Sequence, residues 1–160
     1  MLTGLPPILD AEIKTLIMGS FPSPVSLTAQ HYYAHRQNQF WRVMSEVLNE
    51  PLSEFDYTAK QHCLLRHHVG VWDVYRVCLR EGALDSAIKA AEPNDFSLLK
   101  EKAPRLVRVF FNGQTSGRFT RWFSDQGYAT RILPSTSPAY TLAFSHKTSI
   151  WINAWNEQQL

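Results

Sequence analysis

The sequence predicts an α/β fold, a three-layer α/β/α sandwich with a central four-stranded parallel sheet. Three observations indicate it. Four short apolar runs are typical of strands buried on both faces. Segments with helical spacing of apolar residues separate these runs. Strands that alternate with helices form a parallel sheet covered by helices on both sides. The chain has 160 residues and no internal repeat or linker, so we expect a single domain over residues 1–160.

The N-terminal half contains the first strand and two helices. Residues 5–12 are a short lead-in that can form a helical turn, and the first predicted strand follows at Thr15–Ser20. A segment of about eighteen residues without a periodic apolar face comes next, and so long a loop in a compact domain is typical of a functional segment. Helices are then predicted at 38–48, which Pro51 ends, and at 56–67.

The C-terminal half contains the other three strands. Val69–Tyr75 ends in a carboxylate, Leu106–Phe111 is broken by Asn112 and a glycine, and Ala129–Leu133 runs into a turn rich in Ser, Thr and Pro. Helices are predicted at 81–91, from 94 or 95 up to 103, at 116–125 and at 146–157.

Four polar segments follow the four strands: GSFPS, WDVY, FNG and LPSTSP. Because parallel strands share one direction, we expect these segments to meet at one edge of the sheet. Open α/β sheets bind ligands outside the carboxyl ends of their strands. The sequence therefore predicts a single cleft there.

The composition excludes several classes of protein. A hydrophobic content of 44% and a charged content of 19% exclude a disordered chain, and a net charge of +2 excludes a polybasic one. Cys63 and Cys78 cannot supply an iron–sulfur cluster or a Cys-only zinc site. His62, His67 and His68 lack ligand spacing with these cysteines, so we expect them at the surface or at helix ends and expect no metal.

We also expect no membrane partner and a cytoplasmic location. The N-terminus has no basic region followed by an apolar one. No run of about eighteen apolar residues occurs. Two cysteines in 160 residues suit a reducing compartment at least as well as a disulfide.

Asn38 has two interpretations, and the residue type alone leaves both open. It is well placed to cap the helix that follows, or its carbonyl oxygen can hold a water molecule against a carbon atom. A neutral amide is a weak base, so the second role suits an electrophile that is already cation-like, such as an oxocarbenium-like sugar. Asp73 can act as base or can stabilise a cationic sugar electrostatically, and it can equally be a structural partner.

Other side chains are candidates for ligand contacts. Asn112 offers a donor and an acceptor suited to a base edge, although Asn-Gly is also a common turn. Phe21, Tyr32 and Tyr33 can sandwich a planar ligand or pin the loop to the core. The turn after the last strand can bind phosphate through hydroxyls and backbone N–H groups, and Tyr140 beyond it can enter a base stack. The residues of this turn are Ser135, Thr136, Ser137 and Pro138.

Taken together, these segments resemble the uracil-DNA glycosylase superfamily, and within it the hypoxanthine (deoxyinosine) DNA glycosylase branch. GSFPSPVS resembles the first motif of that branch, and HYYAHRQNQFW resembles its YYAHPxNxFW segment. WDV, FNG and LPSTSPA complete the series in order. The resemblance extends from Thr15 to the C-terminal helix.

The resemblance implies base flipping of a double-stranded DNA that contains a deaminated base, a monomeric enzyme and no cofactor. It makes Asn38 the water-positioning residue, Asn112 a base-recognition residue and Tyr33 the aromatic that stacks on the flipped base. We expect the amides of Asn38 and Asn112 to face each other across a pocket for one nucleobase. The resemblance also implies that Gly19, Ser20 and Phe21 contact the base. It implies that Ser23 and the segment PSTSPAY contact the DNA backbone or enter the duplex.

Two positions depart from the family pattern. Phe21 stands where most of the superfamily has Asn or Asp, and Arg36 stands where many relatives have Pro. The first departure argues against an efficient general uracil glycosylase and leaves more of the chemistry to Asn38. With no Lys in the four polar segments, we expect hydrolysis without a Schiff base. The alternatives are a mismatch-specific uracil or thymine glycosylase, a non-catalytic DNA-damage or nucleotide-binding domain and, last, a small-molecule hydrolase.

Overall fold

A computed structural model describes residues 1–157 of the chain. Its central layer is a four-stranded sheet with the order β3-β2-β6-β7, and every neighbouring pair is parallel. The predicted α/β class with a central parallel sheet is therefore confirmed. In chain order the strands are β1 (Leu2–Thr3), β2 (Thr15–Gly19), β3 (Val69–Asp73), β4 (Tyr75–Leu79), β5 (Lys89–Pro93), β6 (Arg108–Asn112) and β7 (Ala129–Leu133).

Seven α-helices and three single-turn 3-10 helices occur within residues 1–157. The α-helices are α1 (Pro24–Ala29), α2 (Phe40–Leu48), α3 (Tyr57–Arg66), α4 (Leu99–Lys102), α5 (Gln114–Gly117), α6 (Thr120–Asp125) and α7 (Phe144–Glu157). No helix in this range is long and apolar enough to cross a membrane.

The inner strands form because their side chains are apolar on both faces. Every residue of β2, β3 and β6 is buried. Alternate side chains of a strand point to opposite faces, so Ile17 and Phe110 enter one core while Met18 and Phe111 enter the other. The first core is covered by α2, α3 and α7, and the second by α4 and α6. Strand β7 lies at the edge, where only Leu133 is buried.

The register brings the carboxyl ends of the strands together. Gly19 pairs with Asp73, Met18 with Phe111, and Asn112 with Leu133. The polar segments that follow these residues therefore start at the same sheet edge, which is the arrangement expected from the sequence.

A second, antiparallel sheet with the order β1-β4-β5 was not expected from the sequence. The helix predicted at 81–91 is wrong. Residues 89–93 form β5, which pairs with β4, and residues 85–87 form one 3-10 turn. The predicted strand Val69–Tyr75 also divides, because the chain leaves the central sheet after Asp73 and re-pairs as β4. Pairing with a distant segment overrides local helix propensity here.

Smaller differences concern element boundaries. The loop after β2 contains α1, which Ser23 caps by accepting the Ser26 backbone N–H at 3.2 Å. The helix predicted at 116–125 is split into α5 and α6. The lead-in at 5–12 forms no helix and instead pairs Ile8 with Val71. Asp56, the first residue of the helix predicted at 56–67, is the N-cap of α3. Asp95, one of the two N-caps predicted for the next helix, caps the 3-10 turn at residues 96–98.

Candidate active site

A cavity of about 350 Å³ lies at the carboxyl end of the central sheet. This volume falls within the usual range of about 300–1,000 Å³ for small-molecule sites. Every site residue predicted from the sequence lines it, together with Tyr32 and residues that were not predicted. The predicted residues are Gly19, Ser20, Phe21, Ser23, Tyr33, Asn38, Asp73, Asn112, Ser135, Thr136, Ser137, Pro138 and Tyr140.

Asp73 is the buried carboxyl group of this cavity. Only 4% of the residue is exposed, and its Oδ2 has no hydrogen-bond partner among residues 1–157. Burial is the main reason why its pKa rises to about 7, and the carboxylate of Asp85 raises it further while Arg80 opposes the rise. A carboxyl group with a pKa near neutrality can take up or release a proton during a reaction.

Gly19 allows Asp73 to approach the end of β2. A Cβ atom at Gly19 would lie 2.5 Å from Asp73 Oδ1 and 2.8 Å from the hydroxyl of Tyr33. Any larger side chain would therefore push both groups out of the cavity wall. This close approach, rather than a special backbone conformation, is the physical reason for a glycine here.

A chain of hydrogen bonds connects Asn112, Thr136 and Asn38. The backbone N–H of Thr136 donates to Asn112 Oδ1 at 2.9 Å, so Asn112 Nδ2 must be the atom that donates to Thr136 Oγ1 at 3.0 Å. The hydroxyl of Thr136 then donates to Asn38 Oδ1 at 2.8 Å, and the backbone N–H of Phe40 donates to the same oxygen at 2.9 Å. The backbone groups thus determine the direction of every bond in the chain.

This chain corrects the geometry expected for the two amides. Asn38 and Asn112 do not face each other across a pocket, because both bond to the single hydroxyl of Thr136 and therefore lie on one wall. Both amide atoms of Asn112 are engaged within the protein, and the residue is 9% exposed. Both N–H bonds of Asn112 Nδ2 are used within the protein, and the second lone pair of Oδ1 is the part of the amide that remains for a base edge. Asn112 holds the segment after β7 in place.

The structure changes both interpretations of Asn38 that the sequence left open. The residue that caps α2 is Gln39, whereas Asn38 Oδ1 accepts the backbone N–H of Phe40 in the turn before the helix and also accepts the hydroxyl of Thr136. With two donors already bound, this oxygen is not the atom that holds a water molecule. The Nδ2 group of Asn38 has no protein partner within residues 1–157 and is the part of the amide that can contact a ligand.

Thr136 is completely buried and joins two segments of the site. Its carbonyl oxygen accepts the backbone N–H of Gln39 at 2.9 Å, while its N–H and hydroxyl take part in the chain described above. Thr136 therefore has no polar atom free for DNA phosphate. The neighbouring Ser135 and Ser137 are half-buried, and Pro138 and Tyr140 are exposed.

The aromatic side chains of the cavity have different surroundings. Tyr33 stacks on Phe40 with ring centroids 4.0 Å apart, and its hydroxyl accepts the Nδ2–H of Asn112 at 3.2 Å. Its backbone φ of +54° is unusual for a residue other than glycine and is typical of strained functional segments. Phe21 is buried, and the guanidinium carbon of Arg80 lies 5.4 Å from its ring centroid.

The loop between β4 and β5 supplies cavity residues that the sequence did not reveal. Ala83, Leu84 and Asp85 line the cavity, and Ser20 donates its hydroxyl to Asp85 Oδ1 at 2.7 Å. These residues were predicted to lie in a helix. No local pattern marks them, because they reach the site only through the pairing of β4 with β5.

A second polar cluster is made by Glu50, Cys63 and His67, whose ligand-type atoms lie within 4.8 Å of one another. None of these residues lines the cavity. Glu50 contacts His67 Nε2 at 2.8 Å and accepts from Arg66 at 2.9 Å, and these two contacts lower the pKa of Glu50 to about 2. Arg66 already supplies a positive charge there. His67 ends α3, as expected from the sequence, and Cys63 and Cys78 are both free and buried.

Comparison with known proteins identifies relatives along almost the entire chain. The model of the uracil DNA glycosylase superfamily matches residues 6–159. A hypoxanthine DNA glycosylase of Methanosarcina barkeri (strain Fusaro / DSM 804) is 39% identical over 152 residues, which cover 95% of this chain and 96% of the relative. A hypoxanthine DNA glycosylase of Methanosarcina acetivorans is 38% identical, with 92% and 94% covered. A solution NMR structure from Methanosarcina acetivorans superimposes with a TM-score of 0.88 at 37% identity, covering 97% of this chain and 96% of that one.

Proposed function

The chain belongs to the uracil DNA glycosylase superfamily, and from this premise we propose that it removes hypoxanthine from deoxyinosine in DNA and leaves an abasic site. The relatives named hypoxanthine DNA glycosylase match more than nine-tenths of the chain. The observation that carries the chemistry is the buried carboxyl group of Asp73, with one oxygen that has no partner within residues 1–157, in a cavity at the carboxyl ends of the central strands.

We propose hydrolysis at C1′ of the flipped nucleotide. A water oxygen forms a bond to C1′ as the bond from C1′ to N9 of hypoxanthine breaks, and N9 keeps the electron pair. The water proton passes to the carboxylate of Asp73. The departing hypoxanthine anion takes up a proton from solvent, and Asp73 then returns its proton to solvent, so that one water molecule is added across the broken bond. Because the sugar becomes cation-like as the bond breaks, the negative charge of Asp73 in a water-poor site also stabilises the transition state.

Asn38 supports this step from the neighbouring wall. Its Nδ2–H bonds are available to the water or to the leaving base, while its Oδ1 is held by Thr136 and Phe40. The hydrogen-bond chain through Thr136 limits the motion of the amide, which reduces the entropy lost on reaching the reactive arrangement. Asn38 thus contacts the attacking water or the leaving base through Nδ2, and Asp73 accepts the proton of the attacking water.

The other predicted contacts belong to this proposal as well. Phe21 and Tyr33, with Gly19 and Ser20, form the wall against which the base would lie, and Tyr140 is the exposed aromatic that would enter the stack. Extrusion costs a few kcal/mol, and less at a weakly paired inosine, which favours damaged sites. No lysine lines the cavity within residues 1–157, and this supports hydrolysis without a Schiff base.

The organisation of the protein is part of the same proposal. We propose one domain over residues 1–160, because helix α7 packs against α2 and β7 of the same central unit. We propose a monomer that acts on double-stranded DNA, to be checked by light scattering with and without a duplex. Two free, buried cysteines suit a cytoplasmic location.

The test is a base-release assay on an inosine-containing duplex, with abasic sites detected by alkaline cleavage. We expect release from inosine, and a loss of roughly 10²-fold or more in Asn38→Ala with DNA binding retained. Asn153→Ala, an exposed asparagine of α7, is the matched control and should keep full activity. Unchanged turnover in Asn38→Ala would reject its assigned role.

Duplexes with U·G and T·G pairs separate the remaining possibilities. Faster release of uracil or thymine than of hypoxanthine would identify a mismatch glycosylase of the same superfamily. Binding to inosine or abasic DNA without release of any base would identify a non-catalytic domain. The first result would overturn the proposed substrate, and the second would overturn the proposed activity.

A further inference from the structure

Lys147 is a buried cation in the first turn of α7. Its exposed fraction is 1%, and its Nζ donates to Gln39 Oε1 at 3.0 Å and to the carbonyl oxygen of Ser137 at 3.3 Å. The Nζ also lies 5.4 Å from the ring centroid of Tyr140. Lys147 is therefore located directly beneath residues 135–140, the segment that forms one wall of the cavity, and it contacts the residue next to Asn38.

Lys147 forms no ion pair with a carboxylate of residues 1–157. No carboxylate within residues 1–157 lies within 4 Å of its Nζ, whereas Arg66, Arg76, Arg105 and Arg131 each have one. Burial lowers the pKa of Lys147, since a charged ammonium loses hydration there. The first turn of a helix is also the positive end of its dipole, which disfavours a cation. Each of these factors opposes a positive charge at this position.

Arg108 is a second buried cation without a carboxylate partner, and its surroundings differ. Its guanidinium carbon lies 4.8 Å from the ring centroid of Phe110 and 4.7 Å from that of Trp155. It also donates to Thr15 and to a backbone carbonyl. Two aromatic faces stabilise a cation in a water-poor site. Arg108 begins β6 at the opposite end of the sheet from the cavity. Its positive charge is therefore stabilised by contacts within the protein and needs no ligand.

The segment above Lys147 offers two serine hydroxyls to a phosphate, whereas the backbone N–H groups of Thr136, Ser137 and Tyr140 are bonded within the protein. Ser135 and Ser137 are partly exposed, and each hydroxyl oxygen accepts a local backbone N–H at 3.1 and 3.2 Å while its own proton remains available to donate. Hydroxyls and backbone N–H groups are common partners of DNA phosphate oxygens. A buried charge acts on such a phosphate through a medium of low polarity, where Coulomb attraction is stronger than in water.

We propose that Lys147 is the positive charge of a phosphate-binding site whose surface is formed by residues 135–140, and that this site docks one DNA backbone phosphate beside the extruded nucleotide. The inference rests on the proposed DNA substrate. Lys147 acts through the segment that it supports and is a positioning residue rather than a catalytic one. The missing counter-charge of the free protein is then supplied by the nucleic acid.

The test measures how the affinity for an undamaged duplex depends on salt. Neutralising one phosphate contributes about −0.9 to the slope of log K against log salt. We expect Lys147→Met to weaken binding and to make this slope less steep by about one unit, and we expect Lys147→Arg to keep most of the slope.

Lys100→Met is the matched control. Lys100 also donates to a backbone carbonyl, that of Gln126 at 3.0 Å, and its Nζ also lies over a tyrosine ring, that of Tyr128 at 4.4 Å. It is exposed and does not line the cavity. We expect the slope to be unchanged in Lys100→Met.

A merely structural role for Lys147 gives a different result. If Lys147→Met keeps the native circular dichroism and melting profile but loses affinity at an unchanged slope, the ammonium is only a tether for Gln39 and Ser137, and the proposal is wrong. Should Lys147→Met fail to fold, methylphosphonates placed singly around the deoxyinosine are tested on the unmodified protein. The proposal then requires one position at which the neutral linkage reduces the slope by about one, and it is overturned if none does.

The same experiments separate this inference from the proposed function. Base release from inosine together with an unchanged slope would refute the role of Lys147 alone. A reduced slope in Lys147→Met without release of any base would retain the phosphate site and refute the glycosylase activity.

Discussion

Replacing Asp73 with asparagine should abolish base release and at the same time stabilise the folded protein. The carboxyl group is 4% exposed and lacks a partner for Oδ2 within residues 1–157. In the folded protein its pKa is raised to about 7 from an ordinary value of 3.8. Asparagine has nearly the same shape and carries no charge, so it removes the proton acceptor together with the cost of burying a carboxylate.

The size of the stability change follows from the pKa difference. Folding raises the pKa, so the folded state prefers the protonated acid, and ionisation destabilises it. The penalty is absent at about pH 3, grows as the pH rises from about 4 to about 7, and is constant above that. At about 1.4 kcal/mol per pKa unit, the full penalty is about 4 kcal/mol. Asp73→Asn should therefore raise the free energy of unfolding by up to about 4 kcal/mol at about pH 8 and by about 2 kcal/mol at about pH 5.

Urea unfolding at these two pH values measures the change, and the base-release assay measures the activity. In the unmodified protein, release should increase with pH through about 7, because the carboxylate is the active form. Asp73→Asn should lose roughly 10²–10⁴-fold at every pH. Asp125, an exposed carboxylate of α6, provides the control. Asp125→Asn should change the free energy of unfolding by no more than about 0.5 kcal/mol and the rate of base release by no more than about twofold. A variant that is active, or one that is less stable at about pH 8 than at about pH 5 relative to the unmodified protein, would refute this reasoning.

Two further predictions follow from the contacts of the cavity. Thr136→Val removes the hydroxyl shared by two amides, so the free energy of unfolding should fall by about 1–3 kcal/mol and base release should fall with it; Thr148→Val, which loses only a bond within α7, should keep its activity. Asp85→Asn removes the neighbouring negative charge that raises the pKa of Asp73, so the midpoint of the pH–activity profile should move to lower pH. A midpoint that stays in place would show that the two carboxylates do not interact, and a midpoint that rises would contradict the charge repulsion between them.

The central sheet was predictable because its strands are buried on both faces. Such strands are continuous apolar runs, and β2, β3 and β6 have this character in the sequence itself. The antiparallel sheet was not predictable. Residues 81–91 contain good helix formers, and they form a loop and a strand because β4 provides a partner that no local pattern reveals.

The candidate site divides in the same way. The residue types at the strand ends, and the shared direction of the strands, were enough to bring Asn38, Asp73, Asn112 and the segment after β7 to one cavity. The uses of their atoms depend on distances that a sequence does not contain. The backbone N–H groups of Phe40 and Thr136 occupy the amide oxygens.

The sequence by itself therefore determined the class of fold and the cavity residues that follow the strands of the central sheet, since both follow from hydrophobic patterning and chain direction. Only the tertiary structure decided which polar atoms remain available, because burial and hydrogen bonding are properties of the assembled neighbours. Asp73 differs from the other carboxylates of the chain for this reason. It is enclosed at a sheet edge beside Asp85, a residue brought there by a strand pairing that local sequence does not indicate.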